Sequence, residues 1–563
     1  MKMTGAKIVI ESLHKEGTEV VFGYPGGAIM NVYDEIYKQN HFQHILTRHE
    51  QAAIHAADGY ARATGKVGVA IVTSGPGFTN AVTGLATAYM DSIPMVVISG
   101  QVPTQIIGTD GFQEIDAVGI SRPCTKHNYL VKDVKDLPRV FKEAFHIAST
   151  GRPGPVHIDI PKDATINEAD FVYPKEVYLP TYKPTTKGNK KQLKKALDAL
   201  KKSKKPLIYI GGGAVLSNCA HEIRELAKRC NIPAVETLMA RGVMGHDNPL
   251  LFGMLGMHGE YAANMAAYET DLLISLGARF DDRVTGRLDE FAKGAQVIHI
   301  DIDPASIDKL VKPDFPIVGD LKNVLESMLE ALKEIELIDY TSWVKELTEY
   351  QQKEPLRYNE SEDGAIKPQW VIEEVGHILG NRAVVSTDVG QHQMWAAQFY
   401  PFSYPRQFIT SGGLGTMGFG LPAAMGVARG MKDKVSVNFT GDGSILMNIQ
   451  ELLTCTEYEL PVINIVLNNN YLGMVRQWQT LFYENRLSET DLSIQPDFTK
   501  LVEAFGGRGY KVHTKEDFKI ALKDAVESKK VCMIEVIVDR LENVLPMVPN
   551  GHALNEMTLL GDE

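Results

Sequence analysis

The sequence predicts an α/β protein of three domains, each built on a mostly parallel sheet covered by helices. Three observations carry that prediction. Short β-branched runs (VGVAIVTSG, PMVVISG, PLIYIGGG, DLLISLGAR, AQVIHIDID, RAVVSTDVG, KVSVNFTGDG and PVINIVLNN) end in Gly, Asp, Asn or Ser, with helical periodicity between many of them. Their near-continuous apolar character implies burial on both faces, as in parallel strands. A length of 563 residues exceeds what a single core serves.

Composition narrows the function classes. The chain is 44% hydrophobic and 23% charged, and its formal net charge of −12 speaks against a general nucleic-acid binder. Small anionic substrates would need local positive charge. No apolar run reaches membrane-spanning length, and the start, MKMTGAKIVIESLHKEG, reads directly as an amphipathic helix with no targeting segment. A cytoplasmic protein without a membrane partner is expected. Cys124, Cys219, Cys230, Cys455 and Cys532 form no CxxC pair or zinc spacing and read as reduced core thiols.

The elements follow in chain order. A first domain over 1–175 ends at YPKEVYLPTYKPTTKGNKK, rich in Pro, Lys and Thr, which supplies a linker over 176–189. The basic helix KKQLKKALDALKKSKK, with Leu193, Ala196, Leu197 and Leu200 on one face, opens a middle domain over 190–345. A membrane-surface helix is the alternative reading of that stretch. The polar run YQQKEPLRYNESEDGAIKP, 346–366, leads to a third domain over 367–540. The tail over 541–563 either folds over a site or moves freely, as termini do.

Two stretches echo each other across the chain. VGVAIVTSGPG leads through a helix to IPMVVISG, and KVSVNFTGDG through another to LPVINIVLNN, with Gly75–Pro94 and Gly441–Pro461 nearly equal in span. Two unrelated βαβ units are the alternative to a repeat. If GDG ends one strand and LNNN its neighbour, Asp442 and Asn469 emerge side by side. A carboxylate, an amide oxygen and a backbone carbonyl form a hard oxygen site suited to Mg²⁺ carrying phosphate oxygens. Gly441 and Gly443 admit a phosphate to the backbone, and Gly390, Gln391 and His392, after another strand, are donors fit for the same diphosphate.

GDG followed after about 25 residues by NN resembles the thiamine-diphosphate signature. FGYPGGA, RHEQAAIHAADGYARATG, TSGPG, GRPGPVHIDIPKD, MLGMHG, RFDDRVTG, GTMGFGLPAAMG and GMVRQWQTLFYE extend the resemblance over essentially the whole chain. It is identified as a member of the acetohydroxyacid synthase (biosynthetic acetolactate synthase) catalytic large subunits, in the thiamine-diphosphate-dependent superfamily. The resemblance implies thiamine-diphosphate-binding folds, pyrimidine-binding first and diphosphate-binding last, flanking a Rossmann-like FAD-binding middle domain.

It also implies roles. Glu50 resembles the glutamate at N1′ of the thiamine pyrimidine, where a carboxyl group favours the tautomer whose amine takes the C2 proton; a satisfied surface glutamate is the bland alternative. Met417 matches the wedge that bends the cofactor, Gly415 a carbonyl partner of the pyrimidine amine, and Ser444 and Met474 further cofactor contacts. Tyr471 completes the metal set with Asp442 and Asn469 through its carbonyl, although relatives carry glutamate there. Gly27 and Gln113 lie at the reacting centre. Phe112, Lys162, Met257, Asp282, Val475 and Phe482 line the substrate channel, and Gly111 replaces an alanine of many relatives.

Within the superfamily, Glu50 counts against glyoxylate carboligase, and RFDDRVTG marks the FAD-containing biosynthetic form. Arg283 resembles the arginine for the second keto acid's carboxylate, with a structural salt bridge to Asp281 or Asp282 as its alternative. Trp478 resembles the tryptophan linked to preference for 2-ketobutyrate, with a core role as its alternative. The implied reaction decarboxylates pyruvate and transfers a hydroxyethyl carbanion to pyruvate, giving 2-acetolactate, or to 2-ketobutyrate, giving 2-aceto-2-hydroxybutyrate. FAD falls to Arg152, Gly211, Gly212, Gly213, His258, Gly277, Arg279, Asp301 and Asp320. A homodimer or homotetramer with a separate small regulatory subunit is expected. A thiamine-dependent pyruvate oxidase or decarboxylase is the rival enzyme, and a non-catalytic nucleotide-binding scaffold the rival of another class.

Overall fold

A computed structural model describes residues 2–334, 336 and 339–562. The apolar runs form three six-stranded sheets in which every pairing is parallel. Runs such as Val462–Asn468 are buried along their whole length, because helices cover both faces.

The first sheet is ordered Gln43–Leu46, Val20–Gly23, Gly68–Val72, Met95–Gln101, Pro155–Pro161, His127–Leu130. The third is ordered Phe408–Ile409, Ala383–Thr387, Val435–Gly441, Val462–Asn468, Cys532–Ile537, Arg508–Val512. Numbered by chain position within each sheet, both read 2-1-3-4-6-5, so the echo is a shared topology. The middle sheet is ordered Leu251–Met254, Ala234–Glu236, Pro206–Ile210, Leu272–Leu276, Gln296–Asp301, Phe315–Val318, which reads 3-2-1-4-5-6, the doubly wound nucleotide-binding order. In each sheet the order reverses beside its first strand, and ligands enter at the carboxyl ends there.

The first and third sheets meet through the helices Glu50–Thr64 and Gly420–Gly430. Their backbones touch: a Cβ at Gly59 would lie 2.3 Å from the Ala423 carbonyl oxygen, and one at Gly426 would lie 2.1 Å from that of Ala56. Glycine is required at both places by this close approach.

Local differences from the sequence expectations have packing causes. Lys2–Thr4 is a strand paired antiparallel with Glu168–Asp170, and the first helix begins only at Gly5, capped by the Thr4 hydroxyl. The basic helix Lys190–Leu200 buries Ala196, Leu197 and Leu200 in the middle core, with Leu193 packed against it, which answers the membrane-surface alternative. The helix Thr341–Lys353 runs on through residue 345, where the polar stretch was expected to start. Trp343 and Leu347 hold it there, buried against the middle sheet, with the indole N–H donating to the Pro206 carbonyl. All five cysteines are buried free thiols. Among the described residues no helix is long and apolar enough to cross a membrane.

Candidate active site

The strands Val435–Gly441 and Val462–Asn468 pair with Gly441 opposite Leu467, so Asp442 and Asn469 emerge from adjacent strand ends. The Asp442 carboxylate is almost wholly buried, and burial pushes it up to about 7 despite donation from nearby backbone N–H groups. A buried carboxylate held this way favours a cation beside it. Asn469 Oδ1 accepts from the Tyr471 N–H at 3.1 Å, leaving a lone pair free. Among the described residues no three His, Cys, Asp or Glu gather as a metal group. The donors at these strand ends, the Asp442 carboxylate and the Asn469 amide oxygen, fit Mg²⁺ rather than a softer ion.

Beside it the helix Gln391–Phe399 starts at Gly390. His392 Nε2 is buried without a partner among the described residues, and burial holds the ring neutral at a pKa of about 3. The ring faces Gly441, where a Cβ would lie 3.1 Å from Nδ1. An orphaned ring nitrogen, an open glycine and a helix N-terminus make a cradle that fits a diphosphate. Gln391 differs from expectation. Its amide donates to Gln477 Oε1 and to the Glu542 carbonyl, both at 2.9 Å, and its Oε1 accepts from Asn469 Nδ2 at 3.2 Å. What this position offers an anion is backbone N–H.

The turn with Gly415 (φ +70°) and Met417 lies across from Gly390; a Cβ at Gly415 would be 3.8 Å from Val389 Cγ1, and Ser444 Oγ donates to the Val389 carbonyl. Asp388 fixes the turn's far end by accepting from the Gly420 N–H at 2.8 Å. Gly473 opens the helix Gly473–Phe482, which carries Met474, Val475, Trp478 and Phe482 away from the cradle.

Arg283 comes from the middle domain and meets this helix. Its guanidinium lies 5.6 Å from the Trp478 ring centroid, Nη1 lies 3.8 Å from Met257 Sδ, and Asp282 is only a loose partner at 3.8 Å. Phe482 packs edge-on against Trp478 at 6.2 Å. The arginine is half exposed, so its fork is open to a carboxylate. Val475 is exposed on the same helix.

The remaining predicted residues stay with the first sheet. Glu50 begins the helix Glu50–Thr64, half-buried, and accepts from Asn80 Nδ2 at 3.0 Å. Gln113 (φ +60°) packs against the turn at Gly75, Lys162 starts a short helix, Gly27 opens to free space and Phe112 is 89% exposed. Among the described residues no hydrogen bond or ion pair joins Glu50, Gln113 or Lys162 to Asp442, Asn469 or His392.

A cavity of about 430 Å³ occupies the reversal point of the middle sheet. It is lined by Gly211, Gly212, Gly213, Gly277, Arg279, Asp301, Asp320 and Arg152, and reaches Arg283 and Arg406. The glycines are needed, since a Cβ at Gly211 would sit 2.3 Å from the Gly277 carbonyl oxygen. Burial raises Asp301 to about 6, and Asp320 caps the helix Leu321–Ala331 while accepting from Ser217. Arginines beside glycine strand ends, with two carboxylates, fit a dinucleotide. His258 is the exception: it does not line the cavity, its ring interacts with the Pro546 backbone, and burial lowers it to about 4.

The tail lies against the helix Gly473–Phe482 and the Met257 segment. The Arg476 guanidinium donates to the Leu541 and Glu542 carbonyls, Gln477 Nε2 donates to the Val544 carbonyl, and the Val548 N–H donates to the Met257 carbonyl. Residues 541–548 thus join the Trp478 helix to the Arg283 loop.

Comparison with known proteins agrees with this geometry. Thiamine pyrophosphate enzyme models match in chain order: the N-terminal TPP binding domain at 3–120, the central domain at 193–328 and the C-terminal TPP binding domain at 388–536. The acetolactate synthase large subunit of Haemophilus influenzae is 51% identical, over 99% of this chain and 98% of its own. The chain belongs to the acetolactate synthase large-subunit family. The isozyme 3 large subunit of Escherichia coli is 48% identical over 99% and 98%, and the probable large subunit of Methanocaldococcus jannaschii 48% over 99% and 95%.

Within this family fold, several residues that hold the site have no local sequence signal. Gln495 Nε2 donates to Asp442 Oδ2 at 2.8 Å from 53 positions away. Glu451 Oε1 accepts from the Arg48 N–H at 2.8 Å, steadying the chain just before Glu50. Burial raises Glu451 from 4.5 to about 7. Ionisation in the fold then costs roughly 3 kcal/mol, a penalty absent below the ordinary carboxylate pKa and complete above the raised one. Glu451→Gln keeps an acceptor oxygen and cannot ionise. Its thermal unfolding midpoint should exceed the parent's at pH 8 and match it near pH 4; a lower midpoint at pH 8 would refute the assignment.

Proposed function

We propose that this chain is the catalytic subunit of a biosynthetic acetolactate synthase. It decarboxylates pyruvate and joins the two-carbon unit to pyruvate or 2-ketobutyrate. The carrying observation is the stack of Arg283 on Trp478, from two domains, on the helix that leaves the diphosphate cradle.

Thiamine diphosphate, when bound, supplies the carbanion-stabilising centre that no side chain offers. The chain's residues do the rest. Asp442, Asn469 and the Tyr471 carbonyl would hold Mg²⁺, and His392 with the helix N-terminus at Gly390 would hold the diphosphate. Gly415 and Met417 would set the pyrimidine's angle, with Ser444 and Met474 packing beside it. Glu50 would hold a proton at the pyrimidine nitrogen. Arg283 pairs with the acceptor's carboxylate, and Trp478 presents a flat wall to its alkyl group. Glu50, Gly27, Gln113 and Lys162 would come from a second subunit, as the family resemblance implies. The assembly proposed is accordingly a homodimer or homotetramer. FAD fits the 430 Å³ cavity at the middle-sheet reversal. Relatives named large subunits support a separate small subunit; its regulatory role and a cytoplasmic location belong to the same proposal, as do domains over 1–175, 190–353 and 367–540, the middle one taken to the end of the helix Thr341–Lys353.

Trp478→Leu should cut the preference for 2-ketobutyrate over pyruvate by roughly 10- to 200-fold, the range for one methylene in an apolar pocket. Product ratios under competition check this, and an unchanged ratio would move the wall elsewhere. The function itself is tested by product analysis on cofactor-stripped protein given pyruvate, thiamine diphosphate and Mg²⁺, with and without FAD. FAD-dependent acetolactate is expected. Acetaldehyde or hydrogen peroxide in its place would overturn the carboligase.

A further inference from the structure

Asp91 ends the helix Pro76–Met90 and lies buried between the two cofactor sites. On one side its turn is part of the dinucleotide cavity: Arg62, Met90, Asp91 and Ser92 all line it. Two cavity arginines hold that turn, Arg279 Nη1 donating to the Met90 carbonyl at 2.7 Å and Arg152 Nε to Ser92 Oγ at 2.8 Å. Ser92 has a left-handed φ of +62°, a strained position that these bonds help to hold.

On the other side the carboxylate grips the loop that leads to Gly415 and Met417. Asp91 Oδ1 accepts from the Gly413 N–H at 2.7 Å and Oδ2 from the Gly412 N–H at 3.1 Å. Arg62 Nη2 binds Oδ2 at 2.9 Å, pairs also with Asp58, and sends Nη1 to the Thr410 carbonyl at 2.8 Å. Past the glycines, Ser411 Oγ accepts from the Thr416 N–H at 3.0 Å, and Thr416 Oγ1 meets Thr87 Oγ1 at 2.7 Å. Thr87 and Asp91, one turn apart on one helix, thus clamp both ends of the loop. Gly413 must be glycine, since a Cβ there would lie 2.8 Å from Asp91 Oδ1.

Burying two carboxylates with one guanidinium is a costly way to stabilise a fold, and apolar packing of equal volume commonly does better. What the cluster supplies is registry. We infer that Asp91, seated by Arg62, is a positioning residue that couples the dinucleotide cavity to the Gly412–Met417 loop, so that FAD tightens the binding of thiamine diphosphate. The inference rests on the cofactor reading above and goes beyond it. A dinucleotide's diphosphate would engage Arg152 and Arg279, the same cations that hold the Met90–Ser92 turn, and so stiffen the carboxylate that sets the loop. This gives FAD a task in a reaction with no net redox step. Coupling between sites is reciprocal, so each cofactor must raise the other's affinity by one factor.

The test is a pair of binding titrations on the full-length protein. Thiamine diphosphate with Mg²⁺ is titrated calorimetrically with and without FAD, and FAD is titrated by flavin fluorescence with and without thiamine diphosphate. A common factor of about 5 to 150 is expected. Asp91→Asn, which loses one of the two acceptors, should bring that factor close to one while FAD still binds. Amide hydrogen exchange on the unaltered protein gives a readout needing no variant: Gly412 and Gly413 should exchange more slowly once FAD is added. Equal thiamine-diphosphate affinity with and without FAD, or unchanged exchange at those glycines, would overturn the coupling. An undiminished factor in Asp91→Asn would overturn the route through Asp91. Failure of the unaltered protein to bind FAD would instead overturn the dinucleotide reading itself, a result distinct from either.

Discussion

Asp442→Asn is expected to abolish cofactor loading under ordinary conditions and to lower acetolactate formation by at least about 10³-fold. The carboxylate is the only charged member of the proposed metal set, and it is desolvated at its strand end. Two unit charges 4 Å apart at an effective dielectric constant of 20 interact by about 4 kcal/mol, and a divalent ion roughly doubles that. Even after the cost of stripping water from both, a loss of about 4 kcal/mol or more follows, equivalent to some 10³-fold. Asparagine keeps the shape and one oxygen, so the fold persists. With divalent ions chelated at pH 8 the variant should even melt higher, because burial raises the native carboxyl and its ionisation destabilises the fold at that pH. The checks are calorimetric binding of thiamine diphosphate across a Mg²⁺ series and melting in the presence of chelator. Activity within a few-fold of the parent at ordinary Mg²⁺ would remove Asp442 from the metal site.

Glu50→Gln is expected to lose about 10²–10⁴-fold in turnover, the range for a positioned proton-transfer group, while binding the cofactor within roughly tenfold of the parent. The distinction follows from placement. Glu50 is half-buried at the first turn of its helix and held by Asn80, and its proposed partner is the pyrimidine nitrogen rather than the phosphates. An amide there keeps hydrogen-bonding capacity but exchanges no proton at neutral pH. Turnover and thiamine-diphosphate affinity measured on one preparation decide the matter. Equal losses in both would make Glu50 a binding residue only.

Much of this architecture was legible beforehand because it is written locally. Strand ends carry their own punctuation, and GDG and NNN had to fall on neighbouring strands once a βαβ unit was granted; the Gly441–Leu467 register realises that. The echo between the outer segments became the common order 2-1-3-4-6-5 because strand order follows from helix placement and crossover hand, which periodicity records. What escaped was set by distant partners. Gln391 reads as a free donor until residues 477 and 542 arrive to take its amide. His258 reads as a cavity residue until the tail at Pro546 packs on it. Gln495, Glu451 and Asp91 carry no local mark, since a lone polar residue in a loop or at a helix end gains its meaning only from what the fold brings against it.

The matching topology of the outer sheets bears on inheritance as well as on catalysis. In the proposed dimer the Glu50 half of one chain meets the Asp442 half of its partner. Two different crippled chains therefore hold complementary good parts. Refolding Glu50→Gln protein together with Asp442→Asn protein should recover activity that neither variant shows alone, since a mixed pair owns one undamaged combination out of two. With random pairing half of the dimers are mixed, and a quarter of the parental activity is the ceiling. A cell carrying two such alleles would therefore grow without the end products that neither allele alone can supply.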